Sequence, residues 1–424
     1  MGSDQPPDPR RWSALLQDLQ VREVAPASPS HFPDAATATS DALAGAGLVD
    51  FVDAAASAGQ PVTVVANDHH RFTDTRTFLD ATFGLLERHG GALPPLRLLV
   101  AGGSHAASAA ERQAHEAAML GPHASRFNEV RWHDARDASW IVPVGNTGMG
   151  AWMAEAGFYL ACGSMEPHYF AGVTGAHKTL TVGVMSMESL TANHEHALSP
   201  AARPLRLDGN PVHLGIVDAL ADLEDSGARL LVVNQVLVDG RTAGVFAGHP
   251  LEALELGLPL VRSCFSVEVQ EEADLVVAGM CPPLDRDFYQ AEKGIKNTEF
   301  AVRAGGVLLL EAECAHGVGI DHFVNLLAAA PTAAEARALV EQRGYRLGDH
   351  KAVRLRALTE ERGVRVGLVS RNVPSSLAPV LGVAMFGDRE SAVAWARELL
   401  ASPGGSPPRA IVVHDAGNVA LETA

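Results

Sequence analysis

Residues 157–198 read GFYLACGSMEPHYFAGVTGAHKTLTVGVMSMESLTANHEHAL, and the reading of this stretch decides the fold. The apolar run 157–163 has the composition of a buried strand and breaks at Pro167-His168. Gly172 and Gly175 then permit positive φ and a close approach of backbone just ahead of Lys178. Residues 179–184 are expected to form a second strand. Ser186 is placed to cap a helix over 187–198, with Glu188 in its first turn to complement the helix dipole. Strand, loop, strand and helix in this order predict an α/β protein whose chemistry sits on the loops at strand ends.

Met187, Leu190, His194 and Ala197 fall on one face of that helix, so His194 is expected to point with the apolar residues. A buried imidazole needs a partner, because an unsatisfied buried polar group costs about 1–3 kcal/mol. A satisfied core histidine and a metal ligand both meet that need. Lys178 is costly to bury unless it is paired or chemically used; snorkelling to the surface is the plainer alternative.

The same alternation extends in both directions. Strand-like runs recur at 62–66, 96–101, 230–238, 275–278, 307–311, 364–369, 380–385 and 410–413, with helical patterns at 73–88, 109–120, 285–303, 333–343 and 389–400. This predicts two lobes with mainly parallel sheets flanked by helices and a site in the cleft between them. A Gly/Pro/Leu segment at 248–259 suggests the boundary, and the Pro/Gly/Ser run 401–409 a second linker. The expected division is a partly disordered tail over 1–30, a first lobe of 31–262 plus a returning 408–424, and a second lobe of 263–407. Gly45-Ala46-Gly47 follows a helical stretch and lacks a third glycine, so it is a weak dinucleotide signal.

The chain has 424 residues, enough for two or three cores, and a formal net charge of −17, which argues against nucleic acid and anionic membranes as partners. No run approaches the 18 or so apolar residues of a membrane span. Its four cysteines are widely spaced, with no CxxC pair, as expected of reduced thiols in a cytoplasmic protein.

Other chemical groups stand where strands end. Residues 62–66 lead into Asn67-Asp68-His69-His70-Arg71, and 96–101 into Gly102-Gly103-Ser104-His105. Each is a site or a solvated loop on composition alone. Asp285 opens a helix bearing Tyr289, Gln290 and Lys293, in which an amide and an ammonium at i, i+3 could grip a carboxylate or simply face water.

Taken together, Glu166-Pro167-His168, Phe170-Ala171-Gly172, Gly175-x-x-Lys178, Asn193-His194, Asp68-x-x-Arg71, Gly102-x-x-His105 and Tyr289-Gln290-x-x-Lys293 resemble the nickel-pincer-nucleotide-dependent lactate racemases and their 2-hydroxyacid racemase and epimerase relatives. The resemblance runs in order from about residue 60 to residue 320. It implies a pincer nucleotide attached covalently at Lys178, nickel ligated by His194, and His105 and His168 as paired acid/bases. It further implies that Arg71, Gln290 and Lys293, beside Tyr289, hold the substrate carboxylate, with Asp68, Gly172 and Gly175 shaping the cofactor site. The implied reaction is racemisation or epimerisation of a small 2-hydroxy acid by reversible hydride transfer, after maturation by pincer-cofactor biosynthetic enzymes.

The chain departs from the family pattern around these residues. Ala106-Ala107 follow His105 where Arg-Pro is common, His69, His70 and Phe72 surround Arg71 where Thr and Pro are usual, and His177 precedes Lys178 where Arg is frequent. These changes leave the identity of the hydroxy acid open. Rival readings are a divalent-metal hydrolase or lyase built on His105, His168 and His194, a Schiff-base enzyme using Lys178 with pyridoxal phosphate, and a non-catalytic nickel- or cofactor-binding protein.

Overall fold

Two six-stranded sheets organise the chain, each carrying one lobe. The computed structural model describes residues 10–401 and 407–423. The first sheet runs in the order Arg241–Gly248, Arg229–Val238, Phe158–Ser164, Val62–Asn67, Leu96–Ala101 and Glu129–Trp132. All its pairings are parallel except the hairpin of the first two strands. The second sheet is wholly parallel, in the order Gln20–Val24, Arg409–Val413, Ala273–Gly279, Val302–Glu311, Arg365–Val369 and Ala384–Phe386.

Both sheets are covered on two faces, which explains why their strands read as near-continuous apolar runs. In the first lobe Val62, Val64, Leu98 and Val100 enter one core while Val65, Leu99 and Ala101 enter the opposite one. In the second, Val276, Ala278, Leu308 and Leu310 face one core and Leu275, Val277, Val307 and Leu309 the other. Each such buried aliphatic side chain contributes roughly 1.5–3 kcal/mol.

The strand order of the first sheet reverses between Val62–Asn67 and Phe158–Ser164, whose carboxyl ends lead to Asp68 and to His168. Open parallel sheets bind ligands at such a switch point. Among the described residues, no helix is long and apolar enough to cross a membrane.

Several expectations are corrected. Residues 179–184 are not a strand; short helical turns occupy Ala176–Thr179 and Val182–Val184. Both edges of Phe158–Ser164 are already paired, so this segment has no free edge to join and packs on the sheet instead. Residues 248–259 form no linker, because Pro250 opens the helix Pro250–Phe265. Within 380–385 a helical turn, Ala378–Leu381, precedes the edge strand.

The return of 408–424 to the first lobe is also overturned. Arg409–Val413 lies inside the second sheet, and Ala420–Thr423 pairs with Ser266–Val269. Nor is all of 1–30 a tail. Residues 1–9 lie outside the described residues, but Gln20–Val24 edges the second sheet, and Trp12 and Leu16 are buried against that lobe's outer core. Part of the expected linker, 402–406, lies outside the described residues; its flanks, Arg389–Leu400 and Arg409–Val413, belong to the same lobe.

Candidate active site

A cavity of about 460 Å³ opens between the lobes, lined from the first by Asp68, Arg71, His105, His168, Gly175, Lys178 and His194 and from the second by Tyr289, Gln290 and Lys293. Ten sequence-predicted site residues thus converge, although they span more than two hundred positions of the chain. Gly172 is the exception. Its φ is +84°, and a Cβ there would meet the Arg206 carbonyl oxygen at 2.3 Å, so it shapes the hairpin of Pro167–His168 with Gly172–Val173 without facing the cavity.

Local structure explains each placement. Asp68 is the first residue past the strand Val62–Asn67. His105 ends a turn in which its N–H donates to the Gly102 carbonyl at 3.0 Å. Gly175 has φ +150°, and a Cβ would fall 2.9 Å from Asn234 Oδ1, so only glycine brings the Lys178 turn this close to the sheet. Ser186 accepts from the Ser189 N–H and starts the helix Met187–Glu195 that carries His194. Asp287 caps Phe288–Thr298 by accepting the Gln290 N–H at 2.7 Å, which fixes the start of the helix bearing Gln290 and Lys293.

The two candidate acid/base histidines are held in opposite states. His105 Nδ1 donates to Asp68 Oδ2 at 2.9 Å, leaving the Nε2 lone pair free. At His168 the Ala171 N–H donates to Nδ1 at 3.2 Å, so the proton of the neutral ring sits on Nε2. Burial disfavours the Asp68 carboxylate, but hydrogen bonds from His105 and His70 outweigh that and hold its pKa well below the usual range. Desolvation in the cleft lowers the pKa of His105, and Asp68 opposes the shift. His168 lies well below its ordinary value through burial, reinforced by the charges of Lys178 and Arg71.

Lys178 is buried, with neither a hydrogen bond nor an ion pair among the described residues; the Phe170 ring centroid lies 6.0 Å from its Nζ. Burial, then Arg71, pushes its pKa well below that of a free amine, while Glu166 opposes them. The result is a buried amine that gives up its proton far more readily than a snorkelling surface lysine, as a nucleophile requires. Burial and Lys351 lower Lys293 to about 7. Arg71 Nη1 donates to Glu166 Oε1 at 3.0 Å. Burial, then Lys178, brings His194 to about 3, so it is a neutral imidazole, the form that ligates a metal, and its Nδ1 is enclosed without a partner among the described residues.

Sequence reasoning assigned no role to several residues of this site. Tyr169 crosses to the second lobe, where its hydroxyl meets His350 Nε2 at 3.2 Å and its ring lies 4.7 Å from Lys351 Nζ. Tyr345 holds the other His350 nitrogen at 2.6 Å. Lys351 in turn donates to the Tyr289 carbonyl at 2.7 Å and pairs with Glu292 at 3.3 Å. His350-Lys351 stand in a charged helix, Asp349–Glu360, with no periodic or glycine signal to mark them.

Known proteins share this arrangement of domains. Residues 12–204 match the lactate racemase N-terminal domain, and residues 268–348 match the lactate racemase C-terminal domain. The two domains follow in order and together take up most of the chain. The chain belongs to the lactate racemase family. It is 27% identical over 272 residues to the lactate racemase of Thermoanaerobacterium thermosaccharolyticum, covering 62% of each protein. To the lactate racemase of Lactiplantibacillus plantarum it is 28% identical over 278 residues, covering 63% of each. The chain thus spans a little under two thirds of the length of these lactate racemases. Its fold superimposes on the lactate racemase apoprotein of T. thermosaccharolyticum with a TM-score of 0.80 at 21% identity, covering 100% of this chain and 97% of the other. A Thermotoga maritima protein shares the fold at a TM-score of 0.63 and 14% identity, covering 89% of this chain and 97% of the other.

Proposed function

We propose that the chain is an isomerase that inverts the C2 centre of a small 2-hydroxycarboxylate such as lactate, using a nickel-pincer nucleotide attached at Lys178 and ligated by His194. The observation that carries this reading is Lys178, a buried amine without a partner among the described residues and with a lowered pKa, in the same cavity as the two candidate acid/base histidines. A metal hydrolase has no use for such a lysine. Family membership implies a nickel-dependent cofactor, and the donor set fits one: a nucleophilic amine for covalent attachment and a neutral imidazole with an unpartnered ring nitrogen.

When bound, the cofactor supplies an electrophile that takes a hydride from C2 and returns it, which avoids removing a very weakly acidic α proton. The chain does the rest. Arg71 and Lys293, with the Gln290 amide, supply the cationic and polar wall that holds the carboxylate. His105 Nε2 accepts the hydroxyl proton, and Asp68 stabilises the imidazolium formed. His168 Nε2–H donates to the substrate oxygen. For His168 to serve as the second acid/base, Nδ1 must take up a proton and give up the Ala171 N–H, so the ring must turn from that contact during each inversion.

Intact mass and nickel content, measured on protein co-produced with pincer-synthesising enzymes, test this reading. The expected result is a mass gain of one nucleotide adduct with equimolar nickel, the adduct being lost in Lys178→Ala. An unmodified mass without nickel, under conditions that load a T. thermosaccharolyticum lactate racemase control, overturns it.

A further inference from the structure

The loop after Val62–Asn67 carries more imidazole than the proposed chemistry uses. The His69 and His70 rings are tilted 40° to each other with centroids 4.1 Å apart, His70 and His105 lie at 4.2 Å, and His115 stands 6.1 Å from His69. Asp68 Oδ2 receives both the His70 Nδ1 and the His105 Nδ1, at 3.0 and 2.9 Å. His69 and His70 do not line the inter-lobe cavity; of the three neighbours only Asp68 belongs to both places. Their ring nitrogens and the Asp68 carboxylate nonetheless lie within 4.8 Å of one another.

We propose that Asp68, His69 and His70 bind a divalent cation of the zinc, cobalt or nickel class at the rim of the cleft, in a site separate from His194. One carboxylate with two imidazoles is a donor set for borderline transition ions and not for calcium or magnesium, which take oxygen ligands. Ligand bonds of about 2.0–2.2 Å bring the three donor atoms closer together than they now stand. His69 is exposed at the surface, so its side chain has room to move toward the other two donors. A fourth position is left for water or for His115, which stands edge-on to His69 with its Nε2 engaged by the Asn67 carbonyl at 3.0 Å. A cation on Asp68 draws charge from the carboxylate and weakens it as the acceptor of His105 Nδ1–H, so an occupied site makes His105 a poorer base; that consequence, unlike the binding itself, rests on the proposed racemase reading.

The test uses the metal-stripped full-length chain without pincer cofactor. Equilibrium dialysis against zinc, and the visible spectrum after adding cobalt(II), are read for wild type, His69→Ala, His69→Ala/His70→Ala and His194→Ala. One equivalent is expected in wild type and His194→Ala, with a tetrahedral cobalt band. Affinity should fall at least on the order of 10–100-fold in His69→Ala, the loss that follows even from removing a ligand's supporting partner, and be lost in the double variant. No stoichiometric binding in wild type, unchanged affinity in the double variant, or loss in His194→Ala overturns the proposal. Because His69 is exposed, its single variant remains informative even if the double variant folds poorly. Racemisation is not measured, so failure here is separate from failure of the proposed function.

Discussion

A single oxygen of Asp68 sets the tautomer of His105, because accepting the Nδ1 proton leaves the Nε2 lone pair free for the base role proposed above. Asp68→Asn is expected to lower kcat by on the order of 10²–10⁴, the usual worth of positioned acid–base catalysis, with the cofactor adduct retained by mass. The pH dependence has a definite sign. In the proposed reaction His105 is a neutral base with a lowered pKa, so the acid limb of kcat/KM should fall below the ordinary histidine value of about 6.5. Asp68 raises that pKa, so Asp68→Asn should move the limb to still lower pH. A limb that stays in place, measured on the residual activity, would mean that another group sets it. His177 presents the opposite case: it is fully buried, and neither ring nitrogen has a partner among the described residues. His177→Leu is expected to raise stability by about 1–3 kcal/mol in urea unfolding, since it removes an unsatisfied buried group.

Elements fix the angles at which these side chains arrive. The turn Gly175 to Lys178 depends on a φ of +150° that L side chains rarely adopt. Gly175→Ala should therefore cost about 1–3 kcal/mol in chemical denaturation and sharply reduce adduct formation at Lys178, both read on the same preparation. The helix Phe288–Thr298 depends on its cap. Asp287→Ala should destabilise by about 1 kcal/mol and raise KM more than it lowers kcat, because the proposed reaction assigns Gln290 and Lys293 to carboxylate binding. An unchanged KM would detach those two residues from the substrate.

The whole molecule joins the two lobes across buried cationic and imidazole groups, and this shapes its stability with pH. His168, His177 and His350 all sit well below their ordinary values, chiefly through burial. The unfolded chain binds these protons first, so the stability they allow is present above about pH 6.5 and is lost as pH falls below it. Lys178 and Lys293 are likewise lowered, Lys293 to about 7, so stability from these groups should rise between about pH 7 and pH 10. Urea midpoints of the cofactor-free chain at pH 5, 7 and 9 should increase in that order. Tyr169 links the lobes through His350. Tyr169→Leu should speed amide exchange on both sides of the cleft, at 168–173 and 345–351; exchange confined to one lobe would deny it that bridging part.

Much of this was legible in the sequence because it is local. Apolar runs of strand length, Ser186 as a cap, the glycines before Lys178, and Asp68 or His105 at the end of a strand each express a backbone requirement within a few residues. The motifs at Asp68, His105, His168, Lys178, His194 and Gln290 were readable for the same reason, since each is a short stretch fixed by its own loop or helix. What the sequence left open was decided by pairing and burial between distant segments. An apolar run such as 410–413 fits either sheet, and only the vacancy between Gln20–Val24 and Ala273–Gly279 assigns it. Residues 179–184 have strand composition, but a strand needs an unpaired edge, and Phe158–Ser164 offers none. The opposite tautomers of His105 and His168 and the bridge from Tyr169 to His350 exist only in the folded chain, because their partners lie on other elements or in turns whose dihedrals composition does not dictate.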